Sequence, residues 1–392
     1  MAELVDALDS KSCDSNIVRV RFPLWAHKKD RFPVLFSLIL RKMDSERQVV
    51  NHSLVAELRE RQTLPDKGLR ELLESPDASL AEELFRAARE VAQERFGKQV
   101  WLRALIEWSN VCRKDCLYCG IRKSNPSPIR YTLSREQILE SCEKAWKQGI
   151  CTFVLQGGEN PKGAEALVPI VADIHACWPQ AAITLSLGEL PAALYARLRE
   201  AGACRYLLRH ESADPAHYAR LHPAGTTLES RLRCLAELRH LGFQTGMGMM
   251  VGSPYQTTEH LLEDLRLIQR FGPEMVGIGP FLPQKDTPMG HFPAGSAETT
   301  LRLYAIVRLL RPDTLLPSTT ALSTLLGGGR CRGILAGANV IMPNFTPAAT
   351  RGAYALYDGK ISTDPAESLP EIRNELSAIG YSAAPGRGDY QN

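Results

Sequence analysis

Eight short apolar runs, separated by amphipathic stretches, constrain this chain more than any other feature. They are WLRALIEWS (101–109), CTFVLQGG (151–158), AITLSLG (182–188), RYLLRHES (205–212), QTGMGMMVG (244–252), MVGIGPFLP (275–283), LLPSTTAL (315–322) and NVIMPN (339–344). Runs of this length, bounded by Gly and Pro, read as buried strands. The stretches between them carry apolar residues at helical spacing. In LSREQILESCEKAWKQG (133–149), Ser134 is placed as an N-cap, Gln137 completes a capping box and Gly149 stops the helix. Residues 226–242 and 257–272 repeat the design. Strands alternating with helices predict a parallel α/β fold. Eight such units predict a (β/α)8 TIM-type barrel, with an open doubly wound sheet as the alternative. Polar residues fall at the end of nearly every run, and only a closed ring gathers all those ends on one rim.

Before the first run, SLAEELFRAAREVAQERFG predicts a helix from a cap-like Ser79 to a stop at Gly97. The expected organisation is an N-terminal helical segment over 43–98, the barrel over 99–350 and a C-terminal segment over 351–392. Residues 31–41, RFPVLFSLILR, are too short to span a bilayer, which takes roughly 20 apolar residues. They also lack the small-residue cleavage site of a signal peptide. The string AELVDALDSKSCDSNIVRVRFPLWA resembles a tRNA gene read as protein. We therefore expect residues 1–42 to be a mis-annotated or disordered extension and translation to start at Met43. With 47 basic and 44 acidic residues, the chain gives no reason to expect a nucleic-acid or membrane partner.

Ten cysteines need a reason. Seven (Cys13, Cys142, Cys151, Cys177, Cys204, Cys234 and Cys331) are scattered through apolar patterns. They read as buried small hydrophobes of a reducing, cytoplasmic compartment. Cys112, Cys116 and Cys119 cluster in SNVCRKDCLYCGIRKSN, directly after the first run. Thiolates ligate iron and zinc. A structural zinc site wants four ligands, usually from two knuckles, and only one group exists here. A cubane 4Fe–4S cluster normally takes four thiolates, so three leave one iron open to bind a substrate. The alternatives are a zinc site completed by a distant His, or a chance cluster.

The C-x3-C-x2-C spacing after a first barrel strand, with Tyr118 before the last Cys, resembles the radical S-adenosylmethionine superfamily. The resemblance implies one 4Fe–4S cluster on Cys112, Cys116 and Cys119. It implies that the fourth iron chelates S-adenosylmethionine and that one electron breaks the S–C5′ bond. The products are methionine and a 5′-deoxyadenosyl radical. Gln156, Gly157, Gly158 and Glu159 resemble the GGE turn that holds the methionine amino group. Glu211 is implied as a contact to S-adenosylmethionine, and Arg231 as the grip on its carboxylate. Tyr118, Thr184, Ser186 and Met342 complete the expected binding set. On strand alternation alone, Thr184 and Ser186 point the same way, and Arg209 and Glu211 share a face opposite His210. Met247, Met249 and Met250 read as core.

The strings SNVCRKDCLYCGIRKSN, TLSLGE, RYLLRHES, GIGPF, STTA and GANVIMPNFTP together resemble the HydE family of FeFe-hydrogenase maturases, from about Ser53 to about Lys360. The resemblance implies a complete barrel acting on an iron–dicarbonyl–cyanide–cysteine unit delivered by the maturase HydG, with product passing to HydF. It places Ser186, Arg209, Thr319 and Thr320, with Asn344, around that substrate. Some members hold an accessory 2Fe–2S cluster near the C-terminus. Here KISTDPAESLPEI has no Cys, so one cluster only is expected. Methylornithine synthase and biotin synthase share the motifs, and a non-catalytic iron–sulfur carrier is the reading from another class. Arg113, Lys114, Arg122 and Lys123 are expected either to dock an acidic electron donor such as a ferredoxin or to be a solvated basic loop.

Overall fold

A computed structural model of the protein describes residues 54–360 and 365–391. The expectation for residues 1–42 lies outside the described residues. Nine strands are named here in chain order. They are β1 (Gln99–Leu102), β2 (Ala104–Ser109), β3 (Thr152–Gly157), β4 (Ala182–Ser186), β5 (Ala203–Leu207), β6 (Gln244–Val251), β7 (Met275–Pro280), β8 (Val340–Ile341) and β9 (Ser382–Ala383). β2 to β7 form one parallel sheet in which every neighbour is also the next strand in the chain. Helices Arg135–Lys147, Pro161–Cys177, Ala192–Glu200, Leu228–His240 and Thr258–Phe271 make the crossovers. The fold is thus α/β, built on a parallel sheet of six consecutive strands.

Strand alternation separates two faces. Ile106, Leu155 and Leu185 turn to the helices and join one core with Ile138, Val171 and Leu198. On the other face Glu107, Gln156 and Ser186 stand side by side in register across β2, β3 and β4. Parallel strands covered on both faces are expected to be apolar on both. A polar row on the inner face is therefore the first structural sign of a site.

Past β7 the pairing thins to single bridges. Leu315 bridges Met275, Pro317 bridges Val340, and Asn344 bridges Leu105. β8, only two residues long, pairs with β1. Two predicted strands are corrected. The first run is not one strand but β1 and β2, parted at Arg103. On one edge pairing continues, because the N–H groups of Trp101, Arg103 and Leu105 donate to the carbonyls of Asn339, Ile341 and Pro343. On the other edge the neighbour changes from β9 to β3. In the seventh run only Leu315 and Pro317 pair. Thr319 then caps helix Thr320–Leu325, its hydroxyl accepting from the Leu322 N–H at 3.4 Å. Pro317 has no N–H to extend a ladder.

The helix predicted to start at Ser79 runs Ala78–Phe96 and is capped by Asp77, whose carboxylate accepts from the Ser79 N–H at 2.8 Å. The Ser134–Gln137 capping box forms as expected. Under the strand starts, the C-terminal tail packs against two buried arginines. Arg205, fully buried, donates to Asp389 at 2.5 Å and to the Arg387 carbonyl at 3.0 Å. Arg103 reaches the Gly388 carbonyl at 3.4 Å. No helix among the described residues is long and apolar enough to cross a membrane.

Candidate active site at the strand ends

The cysteine loop leaves β2 and is held by a residue the sequence did not flag. Arg130 donates to four carbonyls of the loop, those of Asn110, Ile121, Arg122 and Asn125. Asp115, between Cys112 and Cys116, accepts from Arg122 at 2.7 Å and from the Ser124 hydroxyl at 2.6 Å. Arg122 holds that carboxyl far below the usual carboxylate range. Burial pushes all three thiols up, Cys116 to about 12 and Cys119 beyond it. Ligation must therefore displace protons, as thiolate ligation generally does. Among the described residues no three His, Cys, Asp or Glu side chains gather on a single-ion position. In a cubane each thiolate takes its own iron. Three thiols from one loop fit a four-iron cluster with one iron left open.

The end of β3 lies against this loop because it is glycine. A Cβ on Gly158 would stand 2.5 Å from the Val111 carbonyl oxygen and 2.8 Å from Cys112 Cβ. One on Gly157 would stand 2.3 Å from the Trp108 indole nitrogen. The Gly158 N–H donates to Ser109 O at 3.0 Å and the Arg113 N–H to Glu159 O at 2.8 Å. The Glu159 carboxylate is buried and takes Arg113 at 2.9 Å, Lys114 at 3.5 Å and the Glu189 N–H at 2.8 Å. Glu189 is the chief site residue that sequence reasoning missed. It stands at the end of the quoted string TLSLGE, and its signal was a charge directly after a strand-end glycine. Its carboxylate lies 3.0 Å from Arg231 Nε, 3.7 Å from Lys114 Nζ and accepts from the Ser230 hydroxyl at 2.8 Å. Arg231 is buried and close enough to Cys116 to pull against the effect of burial there.

Glu211 has a left-handed backbone, φ 65°. Such a conformation costs a non-glycine residue of order 1 kcal/mol or more and persists only where neighbours impose it. Here β6 imposes it. The Glu211 N–H donates to Gly248 O at 3.0 Å, and its carbonyl accepts from Met250 N at 3.2 Å. The carboxylate meets Arg209 at 2.9 Å, while His210 turns the other way to Asp264 at 3.0 Å. Tyr118 lies in the reach of the same charges. Its hydroxyl is 3.3 Å from His222 Nε2, whose Nδ1 is 2.9 Å from the Tyr218 carbonyl. A carbonyl only accepts, so Nδ1 carries the proton and the Tyr118 hydroxyl donates to Nε2. Burial lowers His222 to about 4, which keeps that ring neutral. Around this region Thr184 Oγ1, Arg209 Nε, Tyr218 Oη, Glu211 Oε2, Glu189 Oε1 and Arg231 Nε are buried without a hydrogen-bond partner, the last three being ion-paired only. Buried polar groups are nearly always partnered, and such orphans fit a polar ligand.

The remaining predicted residues divide. Arg209 and Thr319 come together over β7, whose glycines make the room. A Cβ on Gly277 would stand 3.8 Å from Arg209 Cδ, and one on Gly279 3.3 Å from Thr319 Oγ1. Ser186 stands in register with Gln156, whose amide is 3.5 Å from the Tyr354 hydroxyl. Asn344 is engaged within the protein, donating to Glu107 at 3.0 Å and accepting from Thr346 N at 2.9 Å. Lys360 also bonds Glu107. Met342 packs on Met275, Leu315 and Val340. With Thr320 and Asn344 it lines a small cavity of about 50 Å³ beside Ser318 and Arg330. Of the four cations expected to face a donor, Arg113, Lys114 and Arg122 are paired to carboxylates of the loop and its neighbours.

The family model described as the radical SAM superfamily matches residues 106–268. The FeFe hydrogenase maturase subunit HydE of Thermotoga maritima is 42% identical over 336 residues, 85% of this chain and 95% of that protein. A 3-methylornithine synthase of Methanosarcina acetivorans is 28% identical over 324 residues, 82% of this chain and 91% of that protein. Among solved structures, methylornithine synthase superposes with a TM-score of 0.75 at 27% identity, over 84% of this chain and 97% of that one. The maturase HydG of Carboxydothermus hydrogenoformans gives 0.71 at 22% identity, over 88% and 81%, a likeness of fold alone. The cysteine loop, the glycine turn pressed on it and the identity across nearly the whole of a curated maturase lead to one conclusion: the chain belongs to the radical SAM superfamily and, within it, to the HydE family of FeFe-hydrogenase maturases.

Proposed function

We propose that this chain reductively cleaves S-adenosylmethionine and directs the outcome onto an iron–carbonyl–cyanide–cysteine precursor of the di-iron subcluster of the hydrogenase. Cys112, Cys116 and Cys119 would hold one 4Fe–4S cluster. When bound, the cluster supplies a low-potential electron and an iron with an open position. The chain's own residues do the rest. Arg231 offers a guanidinium fork to the carboxylate of S-adenosylmethionine, the charge-assisted geometry for which arginine is suited. The backbone of Gln156, Gly157, Gly158 and Glu159 receives its amino group. Thr184, Ser186, Glu211 and Tyr118 orient the remainder; Met342, expected in the same set, packs instead on Met275, Leu315 and Val340. Met250, Phe281 and Met289 pack as an apolar group with Leu117 and Tyr118 beside the loop and keep water out. Arg209, Thr319, Thr320 and Ser186, with Asn344, would face the precursor.

The reading includes HydG as supplier, HydF as recipient, a low-potential donor such as a ferredoxin, and no accessory 2Fe–2S cluster. It also takes the single bridges past β7 as the seam of a complete (β/α)8 barrel over 99–350, flanked by the segments 43–98 and 351–392. The observation that carries it is the 42% identity over 95% of a HydE chain. The experiment is anaerobic reconstitution, then incubation with dithionite and S-adenosylmethionine. We expect about four irons per chain, formation of 5′-deoxyadenosine, and hydrogenase activation that requires this chain beside HydG and HydF. About eight irons, or no 5′-deoxyadenosine, contradicts it. Turnover of lysine would transfer the chain to the methylornithine reading, which the 28% identity to that synthase keeps in view.

A further inference from the structure

We infer that Glu189 is a positioning residue that sets the direction of the Arg231 guanidinium and ties it, through Lys114, to the cysteine loop; this rests on the reading of Arg231 as the grip on the ligand carboxylate.

Three elements meet at Glu189, two at its carboxylate and one at its backbone N–H. From the loop comes Lys114, two residues from Cys112 and from Cys116, at 3.7 Å from Glu189 and 3.5 Å from Glu159. From helix Leu228–His240 come Arg231, through Nε at 3.0 Å, and Ser230, whose hydroxyl donates at 2.8 Å. From the β3 turn comes Glu159, which accepts the N–H of Glu189 itself at 2.8 Å. All of this is sheltered: Glu159, Glu189 and Arg231 are each less than a tenth exposed. The backbone before Glu189 is built for the contact. Gly188 has φ 76°, and a Cβ there would lie 2.5 Å from the Glu159 carboxylate. Only glycine lets Glu159 settle over this turn and bond the next N–H.

The geometry explains what a second acid does beside a residue meant to bind an anion. The contact is an ion pair on the Nε edge of the guanidinium, not an aligned hydrogen bond, and it leaves the two Nη groups as a planar fork for the ligand. Charge supports the same view. Arg113, Lys114 and Arg231 give three cations against Glu159 and Glu189, so the cluster is one positive charge in excess. A ligand carboxylate would balance it. Electrostatics alone and positioning therefore predict opposite outcomes for removing Glu189. Loss of its negative charge should tighten binding of an anionic group, whereas loss of its hold on Arg231 should weaken it.

The test uses full-length, anaerobically reconstituted protein and reads binding as well as turnover. For Glu189→Gln we expect unchanged iron content and about tenfold weaker binding of S-adenosylmethionine by calorimetry. The ligand-dependent change in the electron paramagnetic resonance of the reduced cluster should need correspondingly more ligand. KM should rise while kcat stays within about twofold, the signature of lost ground-state binding. In an Arg231→Ala background the same substitution should add nothing, since both act through one group. Equal or tighter binding by Glu189→Gln overturns the proposal, and so do additive losses in the double variant. If Arg231→Ala binds like the parent, the reading of Arg231 fails and takes this one with it, an outcome recognisable from that single variant. Should Glu189→Gln lose the cluster, Glu189→Asp keeps the charge and shortens its reach. Intact iron with weaker binding supports positioning, and loss of iron in both assigns Glu189 to the loop's structure instead.

Discussion

At the scale of single residues, the site depends on contacts so close that one methyl group decides them. Gly158 is the clearest case. Its missing Cβ leaves space for Val111 O and Cys112, both backbone or backbone-adjacent atoms that cannot swing aside. Gly158→Ala should push the loop off β3 and lower the iron retained after reconstitution to well under half, with far-UV circular dichroism unchanged. Full iron loading in that variant would show the loop to be more yielding than its contacts imply. Much of this scale was readable in advance. The three thiols, the glycine pair, Glu211 and Arg231 were named from the sequence, and the structure brings Gly158, Glu159, Glu211 and Arg231 to the cysteine loop. Arg130 was not named, because its partners are four backbone carbonyls that a loop presents only once folded. Glu189 and His222 were not, because each meets partners far along the chain. Glu189 meets Ser230 across 41 positions and Lys114 across 75. A charge beside a glycine carries no mark of whom it will meet.

At the scale of elements, strands were legible where two neighbours hold them and misread where they do not. β2, β3, β4, β6 and β7 each lie within the apolar runs, whereas β5, Ala203–Leu207, starts before its run 205–212 and leaves the Arg209–Glu211 end outside the strand. The seventh run failed as a strand because pairing there consists of isolated bridges and a helix starts at Thr320. The first run parted at Arg103 because its neighbour changes from β9 to β3, which no local pattern records. The segment 353–360 shows the same dependence. It crosses the cysteine loop, with Asn110 donating to Ala353 O at 2.8 Å and the Gly120 N–H to Leu356 O at 2.9 Å. It ends on Lys360, whose ammonium bonds the fully buried Glu107. Burial lowers Lys360 although Glu107 works against that. Removing one partner of a buried ion pair typically costs about 3–5 kcal/mol, because the other is left charged without its counterpart. Asn344 still donates to Glu107, so Lys360→Met should cost about 3 kcal/mol. Denaturant unfolding of the apo-protein measures it. A loss under about 1 kcal/mol would mean water replaces the ammonium.

At the scale of the whole molecule, the tail closes the end of the sheet opposite the cysteine loop. Asp389 supplies the carboxylate for Arg205, and the tail carbonyls serve Arg205, Arg103 and Thr152. Burial alone would raise the Asp389 carboxyl. Arg205 and Arg387 outweigh it and hold the group below its ordinary value. A depressed carboxyl stabilises the fold fully above its unfolded value, near 3.9, and that contribution is lost as pH falls through the folded value. Acid below pH about 4, and not milder acid, should therefore free the tail before the sheet unfolds, and Asp389→Asn should do so at neutral pH. Limited proteolysis from the C-terminus, followed by mass spectrometry, measures both. Equal protection of variant and parent at neutral pH would show that the backbone contacts suffice.

The sequence by itself determined the alternation of strand and helix, the sulfur loop and most of the polar strand ends, since period, cap and spacing are local properties of the chain. Which carboxylate faces which cation, where a strand changes neighbours, and what covers the strand starts were decided only by the tertiary structure. Glu107 and Lys360 stand 253 residues apart, and Arg205 and Asp389 184. Charges paired at such separations are matched by the folded backbone, and no pattern of neighbouring residues can announce the match.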